Sequence, residues 1–187
     1  MKKYPRKVDV LEMDEAKITI IITDLHCAFR DVPMPNQEQI LAEFDPEVQE
    51  YDDFIKGKTW MRILSDLKSL DVAARNQYRG MSMFMYPAEL HYLTPVFLDL
   101  VLTENADKPT YWPFLDFLLP YSPEGDDPGL DDTLIEWHLH MWNDFYRRFT
   151  LAQKRAVLEV INACDELLSP GTHEFWRRAR ETNDATG

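Results

Sequence analysis

The chain has 187 residues, 45% of them hydrophobic and 12% aromatic, which excludes a disordered chain and suffices for one domain to fold without disulfides or metals. Its formal net charge is −13, and two stretches without Lys or Arg carry the excess, Asp31 to Ile55 and Pro109 to Tyr146, each with eight acids. Taking those sixteen from the 33 acids leaves fewer acids than the 20 bases, so binding to phosphate backbones is disfavoured over these stretches and attraction of a basic protein is favoured.

Met1 to Lys7 is basic but runs into Asp9, Glu12, Asp14 and Glu15 rather than an apolar stretch, so a secretory signal is not expected, and residues 1–13 read as a tail. No uninterrupted apolar run reaches membrane-spanning length, and the expected location is the cytoplasm. From Asp14 to Arg30, Ile18, Ile21, Ile22, Leu25, Ala28 and Phe29 recur at three- and four-residue steps and predict a first helix. Lys17 to Thr23 is β-branched enough for a strand, but Leu25 and Phe29 extend the helical spacing until Pro33 and Pro35 stop it.

Pro46 opens a second helix with Asp45 as its cap, and Gly57 closes it. Thr59 caps a third, with Trp60, Ile63, Leu64 and Leu67 as its stripe, and Asp71 begins a short fourth that ends at Gly80. Tyr86 to Thr103 is densely apolar and contains Pro95, which predicts a kinked or broken core helix. Tyr111 to Tyr121 is aromatic and short, and Ser122 to Gly129 has the Pro, Gly and acid content of an exposed loop.

Asp131 or Asp132 caps a helix through Leu134, Trp137, Met141, Trp142 and Phe145. Thr150 with Gln153 is a capping box for the next, which carries Val157, Leu158, Ile161, Leu167 and Leu168 and is ended by Ser169, Pro170 and Gly171. A last short helix spans Thr172 to Arg180, before a polar tail over residues 181–187. The expected fold is all-α: one domain over residues 1–187, an irregular bundle of about six to eight helices, one of them broken near Pro95.

The order of these features resembles a family of small bacterial proteins known only as a domain of unknown function. Its pattern is matched by Ala28, Phe29, Val32, Pro33 and Pro35, by Gly57, Lys58 and Trp60, by Tyr92, Leu93, Pro95 and Phe97, and by Phe149, Thr150, Gln153, Ala156 and Val157. The match spans about Ile18 to Leu168. These are helix stops, caps and core aromatics, so the resemblance implies a helical bacterial protein and supplies no catalytic residue.

The chemistry-bearing groups are few. Glu136 and His140, four apart, share a helix face, but His138 does not, and a third metal ligand would have to come from His26, His91 or His173 through the fold. Asp126, Asp127, Asp131 and Asp132 have the charge of a calcium loop without its register of ligands, central Gly and distal Glu. His26 beside Cys27 invites a thiol-nucleophile reading, yet neighbours on a helix point about 100° apart, and Cys27 and Cys164 read as reduced, small core hydrophobes. No phosphate loop, dinucleotide fingerprint or G-x-S-x-G turn is present, so no catalytic residue, metal or cofactor is assigned.

Most of the aromatics from Tyr111 to Tyr146 are expected in the core, although Trp and Tyr beside base-free acids also suit a binding hot spot. The leading expectation is a non-enzymatic acidic domain that captures or neutralises a basic protein, with an immunity protein for an antibacterial toxin as its concrete form. Asp126, Asp127, Asp131, Asp132, Trp112, Glu47, Asp52 and Asp53 are its expected contact residues. Two alternatives stand beside it: a metal-dependent hydrolase using Glu136, His138 and His140, and a structural or regulatory subunit that self-associates, a homodimer included.

Overall fold

The computed structural model describes residues 15–35, 46–104, 113–119, 132–164 and 170–184. Among these residues there are eight α-helices and no strand: α1 (Glu15–Phe29), α2 (Pro46–Ile55), α3 (Trp60–Ser69), α4 (Val72–Gln77), α5 (Pro87–Glu104), α6 (Asp132–Arg147), α7 (Leu151–Ala163) and α8 (Pro170–Asp184). Two 3-10 segments, Arg79–Phe84 and Pro113–Leu118, join them and touch each other. No helix among the described residues is long and apolar enough to cross a membrane.

Local chemistry accounts for most of the boundaries. Gly57 adopts φ +69°, the left-handed residue that closes α2. The Thr59 hydroxyl accepts the Arg62 amide at 3.2 Å to start α3, and the Asp71 carboxylate accepts the Ala74 amide at 2.8 Å to start α4. Thr150 and Gln153 form the reciprocal capping box of α7. Gln153 Oε1, which accepts the Thr150 amide at 2.8 Å, also lies 3.2 Å from His91 Nε2, so His91 is the donor there and links the cap to α5. Burial among Phe29 and Phe149 holds the His91 pKa below its usual value.

The hub is α5, in which every residue from Leu90 to Leu102 is buried. It packs against α1, α3, α6 and α7, while α7 packs on both α1 and α8. A helix enclosed on all sides needs no polar face, and its uniform hydrophobicity follows. The expected break at Pro95 does not occur: α5 runs through it as one helix. Proline removes the amide that would meet the His91 carbonyl and its ring crowds that carbonyl, but neighbours on every side hold the remaining turns in place.

Asp99, fully buried near the middle of α5, has one oxygen 2.9 Å from His26 Nε2 of α1 and the other 2.5 Å from Lys68 Nζ of α3. The contacts are close but off the hydrogen-bond axis; Lys68 meets the carboxylate as an ion pair, and the imidazole of His26 does so only in its protonated form. Glu104, at the end of α5 where the helix dipole disfavours an acid, is met by Arg75 at 2.8 Å and Arg79 at 3.2 Å.

Two further expectations are corrected. Pro170 and Gly171 do not end a helix but open α8, which continues through Asp184, beyond the expected end at Arg180; proline suits a first helical position, where its missing amide has no partner to lose. α7 ends at Ala163, and Leu167 and Leu168 lie outside the described residues.

Cys27 is exposed rather than in the core, because it lies about 200° round α1 from Leu25, opposite the Ile18, Ile21, Leu25 and Phe29 stripe. Cys164 is buried, and burial pushes its thiol up to about 12. A thiol reagent at neutral pH is therefore expected to label Cys27 alone in the folded protein and Cys164 only after denaturation. Equally fast native labelling of both, read by mass spectrometry, would contradict this packing of α7.

Candidate functional site

An apolar recess forms where four segments meet around the start of α5. One face of α6 presents Trp137, His138, Met141, Trp142 and Phe145, positions that return to the same side with each turn. Pro87 and Leu90 of α5 line it, Met83 of the first 3-10 segment and Met85 just after it flank it, and Pro113, Asp116 and Phe117 of the second, with Leu119 just after it, close it. The volume is about 370 Å³, within the range of small-molecule sites.

Hydrogen bonds and ring stacking fix the wall. The Trp142 indole donates to the Phe117 carbonyl at 3.3 Å and stacks on Tyr146 with ring planes 9° apart. Behind it the Trp176 indole of α8 donates to the Leu118 carbonyl at 2.5 Å, so both aromatic hydrogen bonds hold the 113–118 segment. Trp137 and Met83, by contrast, are 48% and 64% exposed at the rim.

The cavity is lined by one acid, Asp116, and by His138. Asp116 and Glu136 are exposed, and none of the lining residues is Lys or Arg. Asp132, one of the expected contact residues, is the first residue of α6, while Trp112, which immediately precedes the second 3-10 segment, lies outside the described residues together with Asp126, Asp127 and Asp131. Leu119 and Trp137, which flank this acidic stretch in the sequence, both line the cavity. On α2, Glu47 falls in the helix, Asp53 accepts from Gln49 Nε2 at 3.0 Å, and Asp52 is half-buried 4.0 Å from Lys56. Neither Asp52 nor Asp53 is part of the cavity.

The aromatic stripe of α6, expected mostly in the core, is divided. Phe145 is buried, Trp142 and Tyr146 are half-buried, and Trp137 faces outward. Spacing alone does not distinguish an aromatic that fills a core from one that lines a cavity, because both occupy the same helix face.

The other candidate chemistry does not assemble. Among the described residues no three His, Cys, Asp or Glu side chains gather to hold a metal ion. His138 sits half-buried in the cavity wall while Glu136 and His140 are exposed, so the three do not form a ligand set. His26 turns toward Asp99 and Cys27 toward solvent, which separates the thiol from its neighbouring imidazole.

A second, more open recess of about 570 Å³ is bordered by residues 31–35, Ala88, His91 and the start of α7. Its charged groups offset each other, Asp31 against Arg148, and Arg148 is already held by Asp144 at 2.8 Å. The α6 cavity has the clearer chemistry. No family model, curated protein or solved structure matches the chain.

Proposed function

We propose that this chain is a non-enzymatic, acidic binding domain that captures a basic protein partner on the side where α6 and the 113–118 segment meet. The observation that carries the reading is the exposed Trp137 and Met83 at the mouth of an apolar cavity, with Trp137 inside a stretch of sequence with eight acids and no Lys or Arg. An aromatic anchor supplies affinity on desolvation, and surrounding acids speed encounter with a cationic surface. A cytoplasmic bacterial immunity protein that neutralises a basic toxin is the concrete form of this reading, and the resemblance to small helical bacterial proteins fits it.

The test is kinetic. With a basic partner isolated from the source cells, converting Asp126, Asp127, Asp131 and Asp132 to amides should slow association and flatten its salt dependence while leaving folding intact. Replacing Trp137 or Trp112 by alanine should instead speed dissociation, since truncating a desolvated anchor costs about 2 kcal/mol or more. Association that is equally fast at low salt without the four charges would reduce the acidic excess to a solubility feature and remove this reading.

A further inference from the structure

We infer that the α6 cavity is itself a ligand site, and that its ligand is a small organic cation with an apolar body, of the size and kind of an arylalkylamine. The inference goes beyond protein capture, because it concerns the interior of the cavity rather than its rim.

Volume argues for a small molecule. About 370 Å³ is more than the anchoring side chain of a protein partner needs, and it lies in the range that encloses most of a compact organic ligand. The lining argues for an apolar body: Leu90, Met141 and Phe145 supply apolar contact and no hydrogen bond, and no Lys or Arg is present to hold a phosphate or carboxylate.

The charge argues for a cation. Asp116 stands in the wall, Glu136 is exposed on the same helix as the aromatic stripe, and Phe117, Trp137 and Trp142 line the cavity with ring systems. Aromatic faces attract an ammonium group through their quadrupole, and a carboxylate in the same wall adds to that attraction where water is partly excluded. An anion of the same shape would meet both effects with the opposite sign.

Three probes of similar shape separate these contributions: phenethylammonium, phenethyl alcohol and 3-phenylpropanoate, titrated calorimetrically into the full chain at neutral pH. Phenethylammonium should bind saturably, one per chain, roughly fivefold tighter than the alcohol and roughly tenfold or more tighter than the carboxylate. Asp116→Asn should reduce the preference for ammonium over alcohol to the part that the aromatic faces supply, while leaving the alcohol unchanged, and Met141→Trp, which fills the cavity, should abolish binding of all three.

The inference is overturned if phenethylammonium does not bind, if the three probes bind alike, or if Asp116→Asn leaves the preference for the cation intact. Binding that survives Met141→Trp in a folded variant would place the site elsewhere. If the probes fail while Met141→Trp speeds release of a basic protein, the cavity is an anchor pocket for that protein: the protein-capture reading then stands and this one falls.

Discussion

Replacing Trp176 by alanine is expected to cost about 3–5 kcal/mol of folding stability, the range for removing a fully buried large aromatic. The side chain has no exposure and lies edge-on to Phe149 at 5.5 Å and Tyr146 at 5.7 Å, so its loss opens a void where α7, α8 and the end of α6 meet. Trp176→Phe isolates the second contribution. It keeps most of the ring contact and removes the indole N–H that serves the Leu118 carbonyl, and an orphaned buried acceptor costs about 1–3 kcal/mol. Denaturant midpoints at unchanged slope give both numbers. Leu118 lies between Phe117 and Leu119, which line the cavity, so the Phe variant should also loosen that wall. If Trp176→Phe proves as mild as a surface substitution, the hydrogen bond does not position the 113–118 segment.

The parts of this fold that were legible in the sequence are those decided within a few residues. Thr59, Asp71 and the Thr150 and Gln153 pair are caps because a side-chain oxygen three positions back from a free amide has the same geometry in any protein. Gly57 follows from the left-handed turn that it alone enters without strain. Pro170 was misjudged because it was read as a stop, whereas it occupies a first-turn position, and of the kink or break expected at Pro95 the break does not occur, because packing around α5 holds the helix together.

The cavity was not legible, since its walls come from four separated segments. Trp137, Met141, Trp142 and Phe145 did mark a helix face, but what that face meets depends on Met83, Leu90 and Phe117 arriving opposite it. Of the expected contact residues, the structure places Asp132 at the start of the wall-forming helix and leaves Asp52 and Asp53 away from the cavity. Asp99 was overlooked because it stands in an apolar run, and its partners on α1 and α3 are remote in sequence.

Removing those partners is the second large expected effect. His26→Ala combined with Lys68→Ala leaves the Asp99 carboxylate buried without a cation, and the expected loss is about 3 kcal/mol, the lower end of the range for a broken buried pair. The lower end applies because both partners reach solvent, with side-chain exposures of 32% and 41%, and water can replace part of what they supply. Adding Asp99→Asn to the double variant should recover the larger part of the loss, because the replacement has nearly the same shape and no charge to strand. That recovery separates electrostatics from packing: the two alanines remove the same apolar atoms in either background, so their packing cost is common to both and cancels in the cycle. Equal instability with and without the carboxylate would mean that Lys68 and His26 act only through their aliphatic and ring contacts, His26 against Trp60 at 5.1 Å among them. The seating of α1 and α3 on α5 would then be owed to Leu25, Phe29, Ile63 and Leu67, whose burial resists separation of the helices but does little to fix their register.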